Sequence, residues 1–572
     1  MKGGAPQFLS TFPGDNKKMQ LAEKFAGPAD RLRHILDKGP KFHNVYIIAM
    51  ISCISGMMFG FDISSMSAFV GIKPYLKYFD SPSSEMQGLI TAAMSLGSLF
   101  GSITSSIISE PFGRRPSLLI CAFLWMVGAA IQLSLQNRAQ LICGRIIAGW
   151  GVGFGSSVAP VYGSELAPRK HRGTVGGLFQ FSVTLGILIM FYIGFGLGKI
   201  HGTASFRIAW GIQIVPGLFL FLGVFFIPES PRWLAKRGYW EDAERIVAET
   251  QAHGNREDPE VIIEMSEIKE QILVEEAGKN FKFIDLFNKK YRLRTFTAVM
   301  AQVWQQLTGM NVMMYYIVYI FEMAGYTGES ANLVAGSIQY VLNCATTVPA
   351  LYLMDKIGRR PLLIGGAIMM MAWQFAVGGI LGQYSVPFPD SGSPSVTIKI
   401  PAEDGPAQKG VIACCYLFVC SFAMTWGVGI WLYCSEVWGD SASRQRGASL
   451  STAANWAFNF AIAMYTPIGF QNISWKTYMI YATFCACMAI HVFFGFPETR
   501  GRRLEEIGQM WDEHVLPWKS GSWQPTVPIL SDAELAAKMT QNNEEHIENA
   551  DLMGSQQSTS EEEKEHEIAH KV

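Results

Sequence analysis

The chain has 572 residues, 49% of them hydrophobic and 16% charged, with a net charge of −1. Soluble domains carry about a quarter charged residues, so an ordinary soluble fold is excluded. The near-neutral balance sets up no field that would favour nucleic acid, and no nucleic-acid partner is expected.

From the start, "MKGGAPQFLSTFPGDNKKMQLAEKF" has no apolar core before Asn44 and does not read as a signal peptide. Residues 1–43 are predicted to be a cytoplasmic tail. A membrane-spanning helix needs about 20 mostly apolar residues. Six such segments fall near 44–70, 86–108, 116–136, 140–162, 173–198 and 207–227, a six-helix bundle over 44–227. A polar segment, 228–293, follows. Six more lie near 294–324, 331–354, 361–384, 409–434, 448–469 and 475–496, a second bundle over 294–496. The remainder, 497–572, is a polar tail predicted to be largely disordered. The expected fold is an all-α membrane protein of about twelve transmembrane helices in two six-helix bundles, with a cytoplasmic helical segment between them.

Lys and Arg set the orientation. "GRRP" at 113–116, "PRKHRG" at 168–173, "DKIGRR" at 355–360 and "RQRG" at 444–447 fall on one side, together with the basic middle segment. Both termini are therefore expected in the cytoplasm. The loop 385–408 and the sequon Asn472-Ile-Ser474 are expected outside. The ten Cys are scattered, mostly through apolar runs, and read as small buried hydrophobes. No metal site and no cofactor are expected.

The halves repeat. "EPFGRRPSLLI" at 110–120 is echoed by "DKIGRRPLLIG" at 355–365, and "PESPRWL" at 228–234 by "PETRGRRLEEI" at 497–507. "SELAPRKHRG" at 164–173 has a counterpart in "SEVWGDSASRQRG" at 435–447. Repeats of this size suggest two similar bundles with a site between them.

Two buried charges interrupt the apolar pattern. Asp62 follows the uncharged run "NVYIIAMISCISGMMFGF", and Arg145 lies inside "LICGRIIAGWGVGFG". A charge at membrane depth costs at least ~2.5–3.5 kcal/mol. Asp62 reads as a permanent partner of an Arg, as a proton site, or as a group in a water-filled vestibule.

With "QQLTGMN" at 305–311, these motifs resemble the sugar porter family of the major facilitator superfamily, and within it fungal high-affinity hexose carriers. The resemblance runs from about residue 44 to 515. It implies a secondary transporter, not an enzyme, that imports a glucose-type hexose across the plasma membrane by alternating access. It identifies Gln180, Gln305, Gln306, Asn311, Asn343 and Asn455 as sugar-binding amides and Trp431 as the aromatic near the sugar. The chemistry agrees: amides donate and accept, as sugar hydroxyls do, without burying charge. Gln305, Gln306 and Asn311 share one broad face only if the helix breaks, and Thr308-Gly309 is the weak point.

The resemblance also places Arg145 beside Asp62. "FGFD" matches the "FGYD" of proton-coupled relatives, which implies a proton as second substrate. An acid beside Arg stays charged, and one moved into apolar surroundings takes a proton. Facilitative fungal relatives also carry Asp here, so a uniporter, a polyol or glycerol symporter and a transporter-like glucose receptor remain as alternatives. Gating is assigned to Glu110, Arg114, Arg115, Glu165, Glu229, Arg232, Asp355, Arg359, Arg360, Glu436, Glu498 and Arg500, as ties that lock the two bundles together at the cytoplasmic side. Departures from the family are Glu110-Pro111 in the first motif copy, Gly427-Val428-Gly429 in the tenth helix, and Ala423 where animal relatives carry Glu. The partners implied are the sugar, protons, the lipid bilayer and turnover machinery acting on the C-terminal tail.

Overall fold

The computed structural model describes residues 33, 36–37, 39–69, 73–80, 82–168, 172–198, 200, 202–277, 281–326, 329–388, 395–439, 441–502 and 504–525. The stretch 526–572, where tail turnover is expected, lies outside the described residues. Span 1 is Val45–Phe69, span 2 Ser84–Phe112, span 3 Arg114–Leu133, span 4 Arg138–Leu166, span 5 Arg172–Leu197 and span 6 Ala204–Phe226. Short helices Pro231–Lys236, Trp240–Gln251 and Pro259–Ala277 fill the middle segment. Span 8 is Glu329–Ile357, span 9 Arg359–Tyr384, span 10 Ala402–Glu436, span 11 Ser441–Ile473 and span 12 Lys476–Gly495.

Span 7 is broken. It runs Arg292–Leu307, then Met310–Tyr315, then Ile317–Met323. The first break falls at Thr308-Gly309, where Gly309 takes φ +80, a left-handed setting open to Gly at little cost. Nine of the twelve spans are long and apolar enough to cross a membrane by composition alone, among the described residues. The other three, spans 7, 8 and 11, carry Gln305, Gln306, Asn311, Asn343 and Asn455, and span 7 falls out because its break leaves its longest segment at 16 residues.

Local sequence accounts for several boundaries. Ser83 Oγ accepts from the Met86 amide at the start of span 2, and Asn137 Oδ1 from the Gln140 amide at the start of span 4. Small residues let spans 2 and 4 touch backbone to backbone. A Cβ on Gly97 would lie 2.0 Å from the Ile146 carbonyl, and one on Gly149 2.0 Å from that of Met94. In lipid, where apolar surface drives little association, such close approach holds helices together.

The two bundles meet along spans 2 and 11 and along spans 5 and 8. Opposite the face that carries the GRR motifs, the span 9–10 connection is not plain loop. Val386–Pro387 pairs antiparallel with Ile398–Lys399, and the Ile400 amide donates to the Met323 carbonyl.

Candidate functional site

The amides of spans 7 and 11 form one directed hydrogen-bond chain. Asn311 Nδ2 donates to Gln306 Oε1 at 2.5 Å, and Gln306 Nε2 to Asn455 Oδ1 at 2.9 Å. Asn455 Nδ2 donates to Gln302 Oε1 at 2.6 Å and to Gln305 Oε1 at 2.8 Å. Gln305 Nε2 donates to the Trp426 carbonyl at 3.0 Å. That carbonyl lies in a π-helical turn, Ala423–Gly427, within span 10. Such a turn loosens the regular ladder and leaves a carbonyl for outside donors. The Gly427-Val428-Gly429 departure thus coincides with a local irregularity rather than with a straight helix.

The break at Gly309 brings Asn311 back onto Gln306, as the spacing requires. Gln180, Gln305, Gln306, Asn343, Trp431 and Asn455 are all buried. Trp431 packs edge-on to Phe179 of span 5 with centroids 5.1 Å apart. Asn343 Oδ1 is buried with no hydrogen-bond partner among the described residues. An unmet acceptor of this kind suits a hydroxyl donor. Gln302 was not anticipated. Its signal was present in "QVWQQ", since it stands one turn before Gln306 on the same face.

Asp62 and Arg145 face each other as a bidentate pair. Arg145 Nη1 reaches Asp62 Oδ1 and Nη2 reaches Oδ2, both at 2.9 Å, and both residues are fully buried. Arg145 Nη2 also donates to the Thr91 carbonyl at 3.1 Å. Parallel N–H···O bonds of this kind are the strong form of the pair. Five residues beyond Asp62, Ser67 meets the Tyr340 hydroxyl at 3.0 Å. Tyr340 lies one turn before Asn343 on span 8, so span 1 grips the span that carries Asn343.

The GRR motifs head spans 3 and 9. In the first, the Arg114 and Arg115 amides donate to Glu229 at 2.9 and 3.2 Å, while the Arg114 guanidinium pairs with Glu165 at 2.6 Å. In the second, the Arg359 and Arg360 amides donate to Glu498 at 3.0 Å each, and Arg359 pairs with Glu436 at 2.9 Å. A carboxylate at a helix N-terminus meets orphan N–H groups and the positive end of the dipole. Burial pushes the Glu229 carboxyl above its ordinary range, against the pull of Arg115 and the backbone donors.

These pairs lie inside each bundle and do not join the two, which differs from the expectation. Arg232 pairs with Glu264 of the middle segment at 3.4 Å, and Arg115 with Asp37 of the N-terminal segment at 2.5 Å. Arg360 donates to the Phe493 carbonyl, and the Arg500 amide to Glu498. Asp355, at the end of span 8, pairs with Arg359 at the start of span 9, at 3.0 Å. Between the bundles, Arg446 pairs with Glu110 at 2.8 Å and Gln445 Nε2 donates to Ser109 Oγ at 3.4 Å. The physical reason is reach: Arg114 and Arg359 lie within salt-bridge distance of Glu165 and Glu436, which stand at the ends of spans 4 and 10 of their own bundles. A polar cleft lined by Glu110, Arg114, Glu165, Arg232 and Arg444 opens where both bundles and the middle segment meet.

The bundles also touch at the opposite face, where Ser84 and Ser395 hydroxyls lie 3.0 Å apart, and at mid-depth, where Ser95 donates to Asn459. The amide cluster is therefore enclosed from both faces.

Two broken-symmetric six-helix bundles around a buried polar cluster define a major facilitator fold. A solved structure titled as the proton:xylose symporter XylE bound to 6-bromo-6-deoxy-D-glucose superposes with a TM-score of 0.70 at 24% identity, over 82% of this chain and 99% of that one. The family profile described as "Sugar (and other) transporter" matches residues 48–511. The chain is 71% identical over 521 residues to the "High-affinity glucose transporter 1" of Candida albicans, covering 91% of this chain and 95% of that one. It is 55% identical over 513 residues to the "High-affinity glucose transporter" of Kluyveromyces lactis, covering 89% and 93%. The chain belongs to the sugar porter family of the major facilitator superfamily. It is a multi-pass membrane transporter and not an enzyme.

Proposed function

We propose that this protein imports a glucose-type hexose across the plasma membrane by alternating access, in symport with a proton, with both termini cytoplasmic. The amide chain carries the reading. Gln305, Gln306, Asn311 and Asn455 hydrogen-bond to one another, and each bond is one that a sugar hydroxyl can replace in kind. A ring of hydroxyls is thus bound without leaving buried polar atoms unmet. The relatives named as glucose transporters support a hexose.

The Asp62–Arg145 pair supports proton coupling. While the pair is closed, the carboxylate is held ionised. When the bundles rock and the two helices part, a carboxylate left in apolar surroundings takes a proton. The Ser67–Tyr340 contact supports a link from this event to Asn343, so that sugar and proton favour the same conformational change. Glu110 and Arg446 would part as the cytoplasmic face opens. A uniporter is the second reading. It is favoured by the fact that both Asp62 oxygens are fully engaged, as a permanent structural pair would have them.

The test is uptake of labelled glucose in cells lacking their own hexose carriers, with external pH recorded during sugar addition. Alkalinisation and accumulation by the unmodified chain, both lost in Asp62→Asn while equilibrative uptake persists, are expected. Equilibration without a pH change would overturn symport and leave the uniporter.

A further inference from the structure

Of the ten histidines in the chain, His491 stands within a span, near the end of span 12 that follows the motif face. A polar ring at membrane depth is a costly residue to keep and calls for a partner. His491 Nδ1 accepts the indole N–H of Trp304 at 2.7 Å. Accepting that bond requires a lone pair on Nδ1, so the neutral ring carries its proton on Nε2. The His491 ring also lies 5.6 Å from Phe296 and 5.5 Å from Phe496, centroid to centroid. Phe496 in turn stacks on Tyr433 of span 10 at 5.3 Å. His491 therefore sits where spans 7, 10 and 12 converge.

Trp304 directly precedes Gln305 and Gln306. At about 100° per residue, the mean direction of Gln302, Gln305 and Gln306 lies roughly 150° from that of Trp304. The tryptophan is thus on the back of the segment whose front carries the sugar-site amides. That segment, Arg292–Leu307, stops at the break, so no continuous helix beyond it fixes its rotation. Its front is held by Asn455 and by the Trp426 carbonyl. Its back is held by His491.

We propose that His491 is a positioning residue for the amide cluster: through Trp304 it fixes the rotation of the first segment of span 7, and so the affinity for the transported sugar. The inference rests on the sugar reading of that cluster. His491 touches no substrate. Its part is to hold Gln305 and Gln306 aimed inward from the far side of their own helix.

The experiment measures glucose KM and Vmax in carrier-deficient cells, with membrane abundance read from a tag, for the unmodified chain and four variants. His491→Leu and Trp304→Phe each remove the bond and are expected to raise KM about threefold, the scale of an average interhelical hydrogen bond in a membrane. Vmax per molecule should change less. The double variant should be no worse than either single, because both delete one interaction. His491→Asn places an amide oxygen where Nδ1 stood and should restore KM. An unchanged KM in His491→Leu, additive effects in the double variant, or failure of Asn to rescue where Leu fails would overturn the proposal alone. No hexose uptake by the unmodified chain would overturn the sugar reading, and this inference with it.

Discussion

The two halves solve the same problem at the motif face with the same parts, and then diverge. In each, a Gly starts a helix in an extended setting with positive φ, +98 at Gly113 and +111 at Gly358. In each, a Glu beyond the sixth helix of that half receives the amides of the following two Arg. A Cβ on Gly113 would lie 2.5 Å from Glu229 Oε2, and one on Gly358 2.7 Å from Glu498 Oε2. The carboxylate thus fills the space that any other residue would need. The divergence is in the acids that open the motifs. Glu110 reaches across to Arg446 of the other bundle, whereas Asp355 stays with Arg359 of its own bundle, at the start of the next span. Asp355 also lies against the start of span 5, where a Cβ on Gly173 would be 2.4 Å from its Oδ1. The shared parts build each bundle. The parts that differ are the ones placed between bundles.

The largest expected effect comes from striking the shared parts. Glu229→Ala leaves three backbone N–H groups, those of Arg114, Arg115 and Ser230, without their acceptor. Stripping one partner from a buried ionic cluster costs about 3–5 kcal/mol. The loss should appear as a collapse in the melting temperature of the purified carrier, with Glu498→Ala milder because Glu498 is half-buried. Gly113→Ala and Gly358→Ala come next. Both force a side chain into a backbone region used almost only by Gly, for about 1–3 kcal/mol each. Near-equal losses in the two variants would support the equivalence of the halves, and a large imbalance would break it. Glu110→Gln should do less to stability. The Glu110 and Arg446 side chains are 33% and 23% exposed, and such pairs contribute about 0–1 kcal/mol. Its effect should instead be conformational, read as faster labelling of a cysteine placed in the cleft beside Arg444. Asp37→Asn should be the mildest, since Asp37 is 37% exposed and Arg115 keeps the Leu36 carbonyl at 2.6 Å.

Much of this was legible in the order of residues. The spans and the repeat follow from apolar length and motif order, whereas the Asp62–Arg145 pairing comes from the family resemblance, the cost of a buried charge alone leaving the partner open. The break at Thr308-Gly309 was legible because three amides could not otherwise share a face. What was not legible depends on rotation and depth, which no local pattern encodes. The motif Arg residues could be matched to several Glu by spacing alone, and only packing shows that they stay within a bundle. Gln302 looked like any other helix-interior amide until Asn455 was seen to donate to it. The π turn at Ala423–Gly427 contains no Pro to announce it. Trp304 and His491 are 187 residues apart, each unremarkable where it stands.

The position of the capping carboxylates has a consequence for how the chain is made. The amides of Arg114 wait for Glu229, 115 residues later, and those of Arg359 for Glu498, 139 residues later. During synthesis, the third helix of each half enters the bilayer with its first turn unanswered. The missing acceptor emerges only when the sixth helix of that half is complete. Each half therefore carries its own completion signal. A nascent chain cut short before either glutamate leaves backbone donors uncapped at the membrane edge, so completion of each bundle becomes a property that the folded surface itself reports.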